Sequence, residues 1–118
     1  MIEQTATGEV TSTFRKSPAY RYIRRADKLP TYAELGEEEA VARVKLFNPT
    51  GAGTWWIASY DPDTEVAFGV AEIQEREIGS FSIAELVAYR GRFSLPIERD
   101  IHFKPTLITA IVAGGSKW

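Results

Sequence analysis

The sequence lacks cysteine altogether and contains a single histidine among its 118 residues. Without cysteine there are no disulfide bonds, no thiolate zinc sites and no cysteine nucleophiles. A serine hydrolase would have to use His102, and no Gly-x-Ser-x-Gly turn accompanies that residue. Because so little catalytic chemistry is left, the sequence predicts a protein that is not an enzyme and that needs no cofactor.

Long apolar runs and phosphate-binding loops are missing as well. The run LITAIVA (107–113) is far shorter than the roughly 20 residues that cross a bilayer, so it predicts a core strand or a turn of helix. The opening MIEQTATGEVTSTF has no basic-then-apolar order of a signal peptide. The glycines of GAG (51–53) lie between strands and open no helix, which argues against a nucleotide site. We therefore expect a cytoplasmic protein with no membrane contact.

The charge is unevenly distributed along a chain whose length is typical of one domain. The formal net charge is −2, yet residues 15–28 carry +5, which leaves −7 for the rest. This split predicts either an arm for an anionic partner or a segment that docks on its own acidic domain.

The basic stretch predicts a short amphipathic helix that follows a leader at residues 1–14. Ser17 is a suitable N-cap, Pro18 suits the first helical position, and Pro30 ends the pattern. At helical spacing two opposite faces emerge, one basic and one mainly apolar. The basic face is Arg21, Arg24, Arg25 and Lys28; the other is Ala19, Tyr22, Ile23, Ala26 and Leu29.

Residues 40–73 predict an antiparallel meander. The runs AVARVKLF (40–47), TWWIASY (54–60) and EVAFGVAEI (65–73) are rich in β-formers and are separated by the turn formers NPTGAG and DPDT. Pairing Leu46 with Trp55, and Trp55 with Val70, gives both hairpins one apolar face. That face is Val44, Leu46, Trp55, Ile57, Phe68 and Val70. The opposite face then carries Val41, Arg43, Lys45, Trp56, Ala58, Tyr60, Glu65, Ala67, Gly69 and Ala71, with Trp56 across from Gly69.

A helix at 83–90 is predicted by FSIAELVAYRG, where Ser82 and Glu85 form a capping box and Gly91 is placed to end the helix. Its apolar side should cover the Trp55 face, and the segment 97–103 should join the sheet. The predicted fold is α+β: a small curved antiparallel sheet, one helix on a face, and a basic N-terminal helix. It forms a single domain at 15–113 with a loose tail at 114–118.

Four stretches in the same order carry a family resemblance: VARVKLFNPTGAGTWWIASYD, FGVAEI, EIGSFSIAEL and LPIERDIHFKP. Together they resemble a family of small single-domain proteins of unknown function, carried mostly by bacterial plasmids, integrative elements and phages. The match spans about residues 39–105. It implies a bacterial cytoplasmic protein with an accessory role on a mobile element, and it supplies no catalytic residues.

The leading functional hypothesis is a binding protein that engages nucleic acid or a nucleoprotein complex. Exposed aromatics with flanking cations stack bases and contact phosphates in sheet-surface binders. The predicted contacts are Arg21, Arg24, Arg25 and Lys28, joined by Arg43, Lys45, Trp56 and Tyr60 if the Trp56 face is open. The alternative for that face is that the N-terminal helix covers it and Trp56 is core.

Two further hypotheses belong to other classes. In the first, an acidic surface that mimics nucleic acid binds and antagonises a host defence enzyme, through Glu37, Glu38, Glu39, Glu72, Glu75 and Glu77. In the second, Glu98, Asp100 and His102 share one side of a strand and hold a divalent metal for hydrolysis. For the same three residues, ion pairs and turn hydrogen bonds are the competing structural interpretation.

Overall fold

The computed structural model describes residues 22–36 and 40–114 and confirms the predicted α+β class. A five-stranded antiparallel sheet has the order β5-β4-β3-β2-β6, and β1 pairs with β7 beside it. The strands are β1 Val41–Ala42, β2 Val44–Phe47, β3 Thr54–Asp61, β4 Val66–Glu72, β5 Arg76–Ser82, β6 Glu98–Arg99 and β7 Thr106–Leu107. The helices are α1 Ile83–Ala88 and α2 Ile108–Gly114, with 3-10 turns at Arg25–Asp27, Tyr32–Glu34 and Arg92–Ser94.

The register of the first hairpin is confirmed, and that of the second is wrong. Leu46 pairs with Trp55, as predicted. In the second hairpin Tyr60 pairs with Ala67, two residues from the predicted Glu65. A bulge in β3 between Ile57 and Ser59 then changes the offset by one, so Trp56 pairs with Val70 instead of the predicted Gly69. The extra residue is Ala58. A bulge sets two residues of one strand against one of the other, so the alternation along β3 shifts where the pattern alone predicts continuity.

The sheet therefore has two apolar faces, and each is part of its own core. The Trp55 core comprises Tyr22, Ile23, Leu29, Val44, Leu46, Trp55, Ile57, Tyr60, Ala67, Ile83, Leu86 and Ile97. The Trp56 core comprises Ala40, Ala42, Trp56, Ala58, Phe68, Val70, Ile108 and Ile111. Phe68 and Val70 thus lie on the face opposite to the predicted one. Tyr60, Ala67 and Ala71 are predicted on the Trp56 face, but Tyr60 and Ala67 belong to the Trp55 core and Ala71 packs against it.

Different segments cover the two faces. Helix α1 contributes Ile83 and Leu86 to the Trp55 core, as predicted, and Ser82 caps it by accepting from the Glu85 N–H at 3.1 Å. The N-terminal segment adds Tyr22 to the same core. The alternative in which that segment covers Trp56 is therefore wrong. Helix α2 covers the Trp56 face instead, with Ile108 and Ile111.

Three local predictions need correction. Strand β5 was not predicted, since its sequence REIGSFS is largely polar and contains glycine. Helix α1 ends at Ala88, before Gly91, because the chain turns extended at Tyr89. The described part of the N-terminal helix is the 3-10 turn Arg25–Asp27, which ends at Lys28 in the left-handed region (φ 53°). Residues 17–21 of that prediction lie outside the described residues.

Candidate nucleic-acid interface

The predicted base-stacking face at Trp56 is closed. The Trp56 side chain is fully buried, Lys45 is 6% exposed and Tyr60 is 2% exposed. A base cannot stack on the rings of Trp56 and Tyr60 without displacing α2 or the N-terminal segment. The predicted contacts on this face required it to be open, and it is covered. Of the four residues predicted there, Arg43 remains exposed.

Two cations pack against the buried Trp56 ring. The Lys45 Nζ lies 5.9 Å from the ring centroid, and the Arg76 guanidinium carbon lies 4.7 Å from it. Arg76 also donates to the Glu72 carboxylate at 2.8 Å and to the backbone carbonyl of Ile111 in α2. Arg76 therefore fastens α2 over the ring, and the cluster stabilises the fold.

Tyr60 is a buried core residue and is not accessible to a ligand. Within the described chain its buried hydroxyl has no hydrogen-bond partner. Burial raises the pKa of this hydroxyl well above its ordinary value of 10.0, and the carboxylates of Glu65 and Asp61 raise it further. The phenol thus stays neutral and contributes its apolar ring to the core.

Tyr60→Phe is therefore expected to leave stability unchanged or to raise it by up to about 1 kcal/mol, because it removes an unpaired buried hydroxyl. The difference should grow above pH 10. There the unfolded Tyr60 loses its proton while the folded one keeps it, so rising pH destabilises the parent through a contribution that the Phe variant lacks. Urea unfolding of both proteins at pH 7 and pH 10.5 measures this. A variant less stable than the parent at both pH values would contradict it.

The basic segment is exposed and firmly anchored. Arg24, Arg25 and Lys28 are exposed, whereas Arg21 lies outside the described residues. Their neighbour Asp27 accepts from both guanidinium nitrogens of Arg99, at 2.6 and 2.7 Å. Such bidentate pairs fix geometry as well as charge. The segment is thereby attached to β6.

A second set of hydrogen bonds fixes the same segment from its other end. The Tyr22 hydroxyl donates to the Ile97 carbonyl at 2.8 Å, and the Tyr22 carbonyl accepts from Arg99 at 2.8 Å. The basic side chains therefore project from a backbone that the domain holds in place.

The acidic residues of the alternative hypothesis are divided. Glu37, Glu38 and Glu39 lie outside the described residues. Glu75 and Glu77 are exposed at the β4–β5 hairpin. Glu72, at the end of β4, is half-buried and paired with Arg76, so its charge is already balanced inside the domain.

The three weak metal candidates are not assembled as ligands. Glu98 lies on β6, but the strand ends at Arg99 and the chain turns. The Asp100 carboxylate accepts from the His102 backbone N–H at 2.9 Å and lies 3.6 Å from the Lys45 Nζ. Over residues 22–36 and 40–114, no group of three such side chains could hold a metal ion. The turn and the ion pair match the structural interpretation of these residues.

A further exposed loop, at residues 89–93, is not among the predicted sites, and the predicted helix takes in only Tyr89 and Arg90 of it. In YRGRF (89–93) two aromatic residues flank two arginines and a glycine. Phe93 is 86% exposed and Tyr89 43% exposed. The β2–β3 loop supports it: the Asn48 side-chain amide donates to the Tyr89 hydroxyl at 3.3 Å, and Thr50 accepts from the Arg92 N–H at 3.2 Å. The two arginines flanked by aromatic residues are the sequence signal for this loop.

Comparison with known proteins gives one match. The model of a family described as "Protein of unknown function (DUF2958)" matches residues 23–113, which include both cores apart from Tyr22, the exposed basic segment and the YRGRF loop. No curated protein and no solved structure matches. In the described chain, no helix has the length and apolar character needed to span a membrane.

Proposed function

This chain belongs to that family of proteins of unknown function, and we propose that it is a non-enzymatic protein that binds nucleic acid, free or in a nucleoprotein complex. The contacts are made by the basic segment at residues 24–28. The resemblance noted in the sequence favours a bacterial mobile element as its setting, with the protein acting in the cytoplasm.

One observation supports the proposal: in the basic segment the cationic side chains are exposed and the one carboxylate is nearly buried. Asp27 is the only acidic residue between positions 22 and 28, and its side chain is 9% exposed beneath Arg99. Arg24, Arg25 and Lys28 are exposed around it. Residues 22–28 therefore expose three cationic side chains, although the chain as a whole carries a net charge of −2.

The physical basis is the release of counterions from phosphates. Each phosphate that a lysine or arginine neutralises adds about 0.9 to the slope of log affinity against log salt for duplex DNA. Such contacts carry no sequence information, and they act on single and double strands alike. We therefore expect weak, salt-sensitive binding without strong sequence preference.

The test replaces charge while it keeps side-chain length. Arg24→Gln combined with Arg25→Gln should weaken oligonucleotide binding and reduce the salt slope by about 1 for each phosphate that the protein no longer neutralises. Fluorescence anisotropy at several salt concentrations measures both quantities. Lys28→Gln and Lys104→Gln form a matched pair, since both lysines are exposed; the first should reduce the slope and the second should not.

No binding of the parent protein at low salt would contradict the proposal. So would equal slopes for the Lys28 and Lys104 variants. A stable complex with a purified host defence enzyme, weakened by Glu75→Gln and Glu77→Gln and competed by DNA, would instead favour the antagonist hypothesis.

A further inference from the structure

We infer that Phe93 and Tyr89 form a stacking platform for the unpaired bases of a single-stranded nucleic acid. This inference rests on the proposed function and deepens it: the basic segment contacts phosphates, and the loop at 89–95 selects single strands. Neither the predicted contacts nor the family description assigns this loop a role.

The ring of Phe93 is presented by a backbone that such a residue rarely adopts. Phe93 has φ 58° and ψ 24°, and Ser94 follows with φ 60°, so two successive residues other than glycine are left-handed. Strain of this kind persists where surrounding contacts enforce it, and it is concentrated at functional sites. The ring itself is 86% exposed.

The contacts that enforce this conformation are present. The Gly91 N–H donates to the Leu95 carbonyl at 2.7 Å, and the Leu95 N–H donates to the Arg92 carbonyl at 3.1 Å. A Cβ on Gly91 would lie 2.4 Å from the Thr50 hydroxyl oxygen, so glycine lets the loop close against Thr50. The backbone that carries Phe93 is therefore held before any ligand arrives, which reduces the entropy that binding must overcome.

The charge around the rings favours nucleic acid. Residues 87–96 contain two arginines and no acidic residue. The Arg92 guanidinium carbon lies 6.0 Å from the centroid of the Phe93 ring. Arg90 is exposed and donates to the carbonyls of Val87 and Tyr89 at the end of α1. Aromatic rings beside arginines are the groups that stack bases and meet phosphates in single-strand binders.

The loop and the basic segment are linked through Arg99. Arg99 pairs with Asp27, and five residues lie between Phe93 and Arg99 in the chain. The six steps from one Cα to the next span at most about 22 Å. A strand of about 15 nucleotides, at about 3.4 Å per nucleotide, is longer than this distance and can reach both elements.

The experiment separates bases from phosphates. Its two probes are an oligothymidylate of about 15 nucleotides and an abasic strand of the same length, both labelled for anisotropy. Phe93→Gly removes the ring and suits the left-handed backbone, so the variant should unfold at or above the urea concentration that unfolds the parent. Phe93→Trp keeps a ring, and Ile78→Ala removes an exposed apolar group on β5 as the control.

Phe93→Gly should weaken oligothymidylate binding at least about fivefold and leave abasic binding unchanged. Phe93→Trp should bind as well as the parent or better, and Ile78→Ala should bind as the parent does. An equal loss on both probes, or no loss on either, overturns the stacking inference. If the Arg24 and Arg25 variant still loses affinity in that case, the proposed function stands alone. Binding to anionic lipid vesicles but to neither strand overturns both.

Discussion

Replacing Gly69 by alanine is expected to lower the free energy of unfolding by about 3 kcal/mol or more. A Cβ at this position would lie 1.9 Å from the backbone carbonyl oxygen of Trp56. Backbone atoms of a central strand cannot move aside as a side chain can. The alanine must therefore separate β3 from β4 next to the bulge at Ala58.

The matched control is Gly79→Ala. Gly79 lies on β5 directly opposite Gly69, and a Cβ there would meet no heavy atom within 4 Å. This variant should stay within about 0.5 kcal/mol of the parent or gain slightly, because alanine loses less entropy than glycine in a strand. Urea unfolding followed by circular dichroism compares the two, and equal losses would show that the bulge does not set the demand for glycine.

A turn displaced by one residue along the chain and the same bulge together explain why the predicted register of the second hairpin is wrong. The pattern VAFGVAE places apolar or small residues at every position of β4 but the last, so a shift of one residue exposes nothing polar. Patterning specifies register only where a slip would bury polar groups. The bulge itself has no residue signature at Ala58. In the first hairpin Lys45 and Thr54 alternate with large apolar residues, and the predicted pairing there is correct.

Capping residues close in the sequence predict α1. Strand β5 and helix α2 have no such local signals, so the sequence does not predict them. The Ser82 cap is a short-range feature, and it is present in the structure. Strand β5 is stabilised by pairing with β4 rather than by its own residues, so its sequence carries little strand preference. The run at 107–113 is short enough to suit either a strand or a helix, and its position over Trp56 decides for α2.

The sequence predicts which long charged side chains are exposed. It does not predict which segment covers each face of the sheet, because that depends on the topology. Arg24 and Arg25 are exposed as the helical spacing predicts. The exposure of Trp56 depends on whether another segment of the chain packs on its face of the sheet. Composition could not show this, because both the N-terminal segment and α2 offer apolar residues of similar size. Phe93 lies where the chain turns left-handed after α1, and this turn is hydrogen-bonded to Thr50, 42 residues earlier in the chain.

Trp56→Ala tests the assignment of this ring to the core, with an expected loss of about 3–5 kcal/mol. The ring is fully buried between the sheet and α2, so truncation leaves a cavity beneath Ile108 and Ile111. It also takes the aromatic face away from Lys45 and Arg76, two cations that have little access to water. If Trp56 were part of an open binding surface, its truncation would instead weaken ligand binding and change the free energy of unfolding little.

Two variants grade the result. Trp56→Phe keeps an aromatic ring and removes an indole N–H that has no hydrogen-bond partner among the described residues, so it should cost clearly less than alanine. Phe93→Ala truncates an aromatic ring that solvent already surrounds and should change the unfolding free energy by less than about 1 kcal/mol. Urea unfolding of the three proteins ranks them. A Trp56→Ala protein as stable as Phe93→Ala would mean that α2 does not cover the ring in solution, and the base-stacking hypothesis for the Trp56 face would then regain its condition.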